Sequence, residues 1–181
     1  MVATVTRVDA PRTGVKGPNA AAWLTAQGLA VPSAHNTWLP LADGSLIGRL
    51  AHTEFFVEGP AAPRLDAALG DGLAGVYPVL RRDVGLVLAG MGALDVLAQT
   101  CNVNFAALDL DARPLVMTSM IGVSVLVIPE RRADGAAYRI WCDPTYGPYL
   151  ARTLHTIAAE EDDGRPPPRP VAAPTTSRGD P

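Results

Sequence analysis

The sequence predicts an α+β fold in which a β-α-β-β-α unit occurs twice, and two observations carry this prediction. A short apolar stretch, a glycine-led turn and a helix rich in alanine and leucine occur together at residues 14–27 and again at residues 84–100. Both segments are followed by an irregular stretch, two candidate strands and a further candidate helix. With 48% apolar and 18% charged residues, the chain has the composition of a globular protein with a buried core.

The first unit is predicted from its turn and cap residues. Pro18 suits the first turn of a helix, where a backbone N–H has no intrahelical acceptor, and Gly28 suits a helix C-terminus. Asp43-Gly44 predicts a hairpin turn. The predicted elements are a strand at 2–8, a helix at 17–28, an irregular segment at 31–39, strands at 46–50 and 53–57, a helix at 61–69 and a loop at 70–75.

The second unit is predicted from the spacing of its apolar residues. The helix after the Gly90-Met91-Gly92 turn is expected to bury a stripe that consists of Met91, Leu94, Leu97, Ala98 and Cys101. The last helix is expected to bury residues of the set Tyr146, Tyr149, Leu150, Thr153, Leu154 and Ile157. The predicted elements are a strand at 84–89, a helix at 92–100, an irregular segment at 102–110, an apolar strand run at 115–128, a polar hairpin loop at 131–135, a strand at 138–141 and a helix at 144–157.

This order of elements is ferredoxin-like, and it predicts how the chain is organised. Residues 1–160 are expected to form one domain made of two pseudo-repeats, at about 1–75 and 76–160. Residues 161–181 contain six of the 17 prolines and no large aliphatic side chain beyond Val171. This composition predicts a disordered, proline-rich tail with a tendency toward polyproline II structure.

Charge and cysteine content exclude several classes of partner. A net charge of −3 provides no basic surface for nucleic acid or for an anionic membrane. No run of about 20 apolar residues occurs, and the N-terminus lacks the apolar segment of a signal peptide. Cys101 and Cys142 are the only cysteines and are expected to be small buried side chains. We therefore expect a cytoplasmic protein that binds neither nucleic acid nor membrane.

No nucleotide-binding or metal-binding motif is complete. Gly90 and Gly92 resemble the start of a dinucleotide-binding turn, but Asp95 stands where the third glycine belongs. The three histidines, His35, His52 and His155, have no metal-ligand spacing.

No nucleophile or pair of catalytic carboxylates can be identified either. The serines considered, Ser45, Ser119 and Ser124, have no local base. Asp109 and Asp111 alternate with leucines and are expected to face solvent. The sequence thus assigns no catalytic, cofactor-binding or metal-binding residue to this chain. The large aromatics Trp38, Phe55, Phe56, Trp141, Tyr146 and Tyr149 are expected to be mostly core, with one or two anchoring a protein interface.

Two long segments resemble known families. Residues 17–59, GPNAAAWLTAQGLAVPS followed by LADGSLIGRLAHTEFFVEG, resemble the first half of the T-protein-like, folate-binding superfamily. Residues 75–154, which include LAQTCNVNF, TSMIGVSVLVIPE and DPTYGPYLARTL, resemble the gamma subunit of heterotetrameric sarcosine oxidase. The small subunit of N-methylglutamate dehydrogenase is equally compatible.

The resemblance implies a duplicated ferredoxin-like fold in the small subunit of a bacterial, flavin-dependent heterotetramer that acts in sarcosine catabolism. In such complexes the larger subunits carry FAD, FMN, NAD and tetrahydrofolate, and an N-methyl amino acid is oxidatively demethylated there. The partners implied for this chain are therefore larger flavin-containing subunits, and no cofactor is expected on the chain itself.

One departure from the T-protein pattern bears on activity. In the T-protein enzymes the strand after the glycine turn carries adjacent aspartates needed for folate chemistry, and the nearest positions here are Gly48 and Arg49. This absence favours a non-catalytic accessory subunit. Two alternatives stay open. One is a free-standing tetrahydrofolate-dependent aminomethyltransferase-like enzyme that uses Glu54 or Asp83 as its pocket carboxylate. The other is a stand-alone ferredoxin-like module that binds a small molecule.

Overall fold

A computed structural model of the chain describes residues 3–70, 73–132 and 135–162, which form ten strands and four α-helices. The strands are β1 (Thr4–Val8), β2 (Arg12–Lys16), β3 (Thr37–Pro40), β4 (Leu46–Ala51), β5 (Glu54–Glu58), β6 (Tyr77–Val79), β7 (Val84–Ala89), β8 (Val116–Met120), β9 (Val123–Arg132) and β10 (Gly135–Cys142). The helices are α1 (Ala20–Ala26), α2 (Ala61–Ala68), α3 (Ala93–Thr100) and α4 (Gly147–Asp162), and two short 3₁₀ turns lie at Phe105–Ala107 and Leu110–Ala112.

The strands form two five-stranded sheets in which all neighbours are antiparallel. The first sheet has the order β3-β4-β5-β2-β6, and the second has the order β8-β9-β10-β7-β1. The predicted combination of helices with antiparallel sheets is confirmed. The predicted division into pseudo-repeats at about residue 75 does not hold for the N-terminal strand, because β1 pairs with β7 in the second sheet. β1 does so because Ala3 and Val5 are buried in the core of that sheet.

The two sheets pack face to face, with helices on both outer sides. On the outer face of the first sheet, α1 and α2 bury a core that includes Leu24, Phe55 and Leu65. On the outer face of the second sheet, α3 and α4 bury a core that includes Leu97 and Leu150. The inner faces meet in a third cluster composed of Leu46, Leu50, Phe56, Leu115, Ile128 and Trp141. The result is a four-layer α/β/β/α arrangement.

Three short strands were not predicted, and all of them depend on their neighbours. β2 contains a glycine, and β3 and β6 each contain a proline. β3 and β6 are also the edge strands of the first sheet, where a missing backbone donor is tolerated. Their extended conformation is therefore decided by pairing with β4 and β2, a non-local contact that local composition does not encode.

The apolar stripes of two helices were predicted in part wrongly. In α3 the buried face consists of Ala93, Val96, Leu97 and Thr100, whereas Met91 is 66% exposed and Leu94 38% exposed. In α4 the buried residues include Leu150 and Leu154, while Tyr146 and Tyr149 are exposed. Met91 and Tyr146 precede the helices, which begin at Ala93 and Gly147. Leu94 and Tyr149 lie within them, on the side that does not pack against the sheet.

Some predictions fall partly outside the described residues. α4 continues to Asp162, and the predicted tail lies outside the description from residue 163 onward. Residues 131–132 and 135 of the predicted hairpin loop belong to β9 and β10 instead. Residues 133–134 of that loop and 71–72 of the predicted 70–75 loop lie outside the described residues. None of the helices in the described ranges has the length and apolar character needed to cross a bilayer.

The packing of Gly85 yields a testable prediction about the junction between the sheets. A Cβ atom at Gly85 would lie 2.3 Å from an Arg12 guanidinium nitrogen and 3.0 Å from the Val8 carbonyl oxygen. We expect Gly85→Ala to lower the free energy of unfolding by about 1–3 kcal/mol, because the strand or the arginine must move. Urea denaturation measures this change.

Gly70→Ala is the matched control, because an added Cβ there meets no atom within 4 Å. Equal unfolding free energies for the two variants would show that the close approach at Gly85 has no energetic weight.

Candidate functional site

A buried network of charged side chains lies between the two sheets. Its centre is Glu58, the last residue of β5, which is only 3% exposed. Glu58 Oε2 accepts hydrogen bonds from Arg12 Nε at 2.6 Å and from Trp141 Nε1 at 2.6 Å. Glu58 Oε1 accepts one from Arg139 at 3.2 Å. The carboxylate therefore links β2, β5 and β10 across the interface.

The two arginines have further partners that complete the network. Arg139 Nε donates to Glu130 Oε1 of β9 at 2.7 Å. Arg12 donates to the carbonyl oxygens of Asp83 at 3.0 Å and Val8 at 2.9 Å. Two cationic and two anionic side chains thus balance one another. Because Glu58 is fully engaged in charge-assisted hydrogen bonds, it is a structural carboxylate and not a free base.

Beside this network, the space between the sheets opens to the surface through a cleft of about 410 Å³. We call it the mouth cleft. Its apolar walls are Leu50 of β4, Met117 of β8, Leu126 of β9 and Trp141 of β10, and its polar groups include Arg81 and Asp83 from the connection between β6 and β7. Ser124, Cys142 and Asp143 also line it.

The polar groups of the mouth cleft are unevenly paired. Arg81 donates to Glu54 Oε1 at 3.0 Å and lies 5.7 Å from the centre of the Phe56 ring. Among the described residues, Arg81 Nε and Asp83 Oδ2 are buried atoms without a hydrogen-bond partner. Buried polar atoms normally have partners, so these two mark a place where a ligand or water can bind.

The thiol and the exposed carboxylate of the cleft are both perturbed. Burial, followed by the nearby Asp143 and Asp83 carboxylates, raises the pKa of Cys142 to about 11. The side-chain and backbone hydrogen bonds from Thr145 lower the pKa of Asp143. At neutral pH the thiol is therefore protonated and a poor nucleophile, whereas Asp143 is ionised. The cleft is suited to binding a group and not to nucleophilic catalysis.

The two carboxylates considered for folate chemistry both lie near Arg81. Glu54 is paired with Arg81, and Asp83 lines the mouth cleft with one unpartnered oxygen. The structure thus brings them into the same neighbourhood, although only Asp83 faces the cleft. Of Glu54 and Asp83, Asp83 is the one with a buried oxygen that has no hydrogen-bond partner among the described residues.

Gly48 and Arg49, the positions compared with the T-protein aspartates, have packing roles. A Cβ atom at Gly48 would lie 2.5 Å from Leu115 Cδ1, so the glycine admits Leu115 into the inter-sheet core. Arg49 donates to the carbonyl oxygens of Pro32, Ser33 and His52 at 3.1, 2.7 and 2.6 Å. Its guanidinium also lies 5.4 Å from the centre of the Phe55 ring.

The other residues tested in the sequence are not brought together. His35, His52 and His155 are exposed, and no group of three potential metal ligands occurs within the described ranges. Asp95 is exposed in the first turn of α3, and Gly92 precedes that helix with ordinary backbone angles. Asp109 accepts from the backbone N–H of Asp111 at 3.0 Å, which places both in an exposed turn.

The serines, cysteines and aromatics have mostly structural positions. Ser45 Oγ accepts from the backbone N–H of Ala61 at 2.9 Å at the start of α2, and Ser119 and Ser124 are exposed cross-strand neighbours. Both cysteines are buried and free. Of the large aromatics, Phe55, Phe56 and Trp141 are core and Trp38 is half-buried, while the exposed ones are Tyr146 and Tyr149.

Sequence reasoning missed the charged network, although one signal was present. In EFFVE, strand alternation places Glu54, Phe56 and Glu58 on one face. In the same way Arg139 shares a face with Trp141. A charge that alternates with a large aromatic in a strand indicates a buried ion pair.

A larger groove of about 600 Å³ lies between α3 and the following segment. Its walls include Leu94, Leu97, Cys101 and Phe105, and its polar residues include Asp95, Asn102 and Asn104. Because Asp95 is the one charged residue in its lining, whereas Arg81, Asp83 and Asp143 line the mouth cleft, we consider the smaller mouth cleft the better candidate site.

The fold is shared with two solved structures. One is the heterotetrameric sarcosine oxidase from Corynebacterium sp. U-96 in complex with pyrrole 2-carboxylate, which aligns with a TM-score of 0.67 at 23% identity over 87% of this chain and 84% of that chain. The other is the glycine cleavage system aminomethyltransferase T from Bartonella henselae, with a TM-score of 0.63 at 16% identity over 84% of this chain and 45% of that chain. No protein-family model and no curated protein matches the sequence. The chain therefore has a T-protein-like fold.

Glu58 provides a test of the network. We expect Glu58→Gln to lower the free energy of unfolding by about 3–5 kcal/mol, because Arg12, 7% exposed, loses its buried counter-charge. Chemical denaturation monitored by Trp fluorescence measures this change. Asp111→Asn is the control, since its pair with Arg131 is exposed and contributes little. Similar unfolding free energies for both variants would contradict a stabilising role for the network.

The raised pKa of Cys142 predicts a pH dependence. Above pH 9 the thiol of the unfolded chain loses its proton, whereas the folded chain keeps it until about pH 11. Stability that is complete below pH 9 is therefore lost as the pH rises toward 11. Relative to Cys142→Ala, the wild type is expected to lose on the order of 1–2 kcal/mol over this range. A constant difference between the two proteins from pH 8 to pH 11 would refute the shift.

Proposed function

We propose that this chain is a non-catalytic accessory subunit, of the gamma type, in a multi-subunit flavin-dependent complex similar to sarcosine oxidase. The observation that carries the proposal is the likeness to a chain of a heterotetrameric sarcosine oxidase, because it extends over 87% of this chain and 84% of that one. Such a complex would oxidatively demethylate an N-methyl amino acid in the cytoplasm.

The interior of the chain supports an accessory role. The Glu58 carboxylate accepts hydrogen bonds from two arginines and a tryptophan. Gly48 packs against Leu115, and Arg49 donates to loop carbonyl oxygens. Asp83 is the carboxylate with a free oxygen in the mouth cleft, and the adjacent Cys142 thiol is protonated at neutral pH. A cleft of this kind binds a polar group but supplies no nucleophile.

The proposal assigns FAD, FMN, NAD and tetrahydrofolate to the larger partner subunits. It also treats the chain as two ferredoxin-like halves that arose by duplication. The order of the two sheets supports this view, because β3-β4-β5-β2 corresponds to β8-β9-β10-β7 element by element. The helices also correspond, because α1 connects β2 to β3 and α3 connects β7 to β8.

A free-standing folate-dependent aminomethyltransferase is the second candidate, and Asp83 is the observation that favours it. Asp83 lines a cleft between two sheets of a T-protein-like fold, and its Oδ2 atom is buried without a hydrogen-bond partner among the described residues. This chain, however, spans 45% of the aminomethyltransferase it resembles.

Native mass spectrometry tests the accessory role. We expect the chain, when it is co-expressed with the products of neighbouring genes, to purify in a large flavin-containing complex that holds one copy of it. Alone, it should not oxidise sarcosine. The proposal fails if the chain stays a monomer or homodimer beside those partners, and tetrahydrofolate titration of that isolated species then tests the second candidate.

A further inference from the structure

We propose that the mouth cleft receives a basic side chain, arginine or lysine, from a protein partner, with Asp83 and Asp143 as its counter-charges and Met117 as an apolar wall. This inference rests on the accessory-subunit proposal and deepens it by naming a docking site and the chemistry of the residue that enters it. The cleft has the shape, the charge and the position that such an anchor requires.

The floor of the cleft is rigid and preformed. Leu50, Trp141 and Leu126 belong to or pack against the apolar cluster between the sheets. Trp141 is fixed by its hydrogen bond to Glu58 and by an edge-on contact with Phe56 at 5.1 Å between ring centres. A cleft held in this way needs no reorganisation on binding, which favours affinity.

One wall of the cleft is an exposed apolar side chain of an edge strand. Met117 is 56% exposed and lies in β8, the edge strand of the second sheet. Flexible methionine side chains suit contact surfaces, and the methylene stem of an arginine or lysine packs well against them.

The charges of the cleft are negative and incompletely compensated. Arg81 is neutralised by Glu54. Neither Asp83 nor Asp143 forms an ion pair within the described part of the chain, and Asp83 Oδ2 is buried without a hydrogen-bond partner. Both carboxylates line the same cleft, so two negative charges border one cleft in which Arg81 is already paired with Glu54. A cationic donor that enters the cleft satisfies both.

The charge and the apolar wall together select the occupant. A divalent cation would require more ligands than this cleft offers, since no cluster of three potential ligands occurs in the described ranges. A basic side chain can pack its methylene stem against Met117 and pair its charged end with the Asp83 carboxylate. A basic side chain paired in this way can anchor an interface, and its removal costs the complex more than loss of an unpaired rim charge.

The experiment uses the complex that the chain forms with its co-expressed partners. Asp83→Lys and Asp143→Lys are each expected to weaken assembly at least tenfold in a titration of this chain against its partners. Asp83→Asn and Asp143→Asn are expected to flatten the dependence of affinity on salt concentration. Glu160→Lys is the matched control, because it lies about 20 Å along α4 from Gly147 and reverses an exposed charge there.

Substitutions of Met117 give an independent test, because this side chain is exposed and its replacement is expected to leave the fold intact. Met117→Lys places an ammonium group at the rim, where it competes with the incoming side chain, and is expected to weaken assembly, whereas Met117→Leu is not. Unfolding curves verify that each variant is folded.

The outcomes separate the two proposals. If the wild type forms no complex, the accessory-subunit proposal falls and the docking site falls with it. If the wild type assembles and the Asp83, Asp143 and Met117→Lys variants assemble equally well, the docking site alone is overturned.

Discussion

Arg12 is the side chain on which the arrangement of the two sheets depends. The chain crosses between the sheets after β1 and again after β6, and the Arg12 guanidinium donates to a carbonyl oxygen at each crossing, that of Val8 and that of Asp83. Its third bond, to Glu58, fixes the guanidinium in the interface. One buried cation therefore holds both crossings, and Gly85 is the residue that gives it room.

The geometry of this network explains why Glu58 must be charged. A buried carboxylate is costly to desolvate, and its attraction to arginines compensates when the geometry is close and further hydrogen bonds satisfy its oxygens. Glu58 accepts three hydrogen bonds, two at Oε2 from Arg12 and Trp141 and one at Oε1 from Arg139. Because these partners come from both sheets, the network has one satisfied arrangement. It specifies how the sheets face each other, which the apolar contacts of Phe56 and Ile128 alone do not.

The sequence predicted those features that local chemistry decides. The Asp43-Gly44 turn and the β4, β5 and β7 strands follow from turn residues and apolar runs, and the structure confirms them. Strands β3 and β6 were missed because pairing, not composition, makes them extended. The phase of α3 was wrong because a helix's contact with the sheet and α4 decides which of two apolar stripes is buried.

The candidate site was predictable in one residue only. Asp83 was named as a possible pocket carboxylate, but its partners at the cleft come from strands that are distant in sequence, such as Met117 and Trp141. The hydrogen bond from Arg12 to the Asp83 carbonyl oxygen fixes the connection between β6 and β7. The Asp83 side chain lines the cleft from this connection. The interaction that sets the sheets therefore also positions the acidic group at their mouth. The described part of the chain can in this way present a preformed charged cleft to a partner, as the proposed accessory role requires.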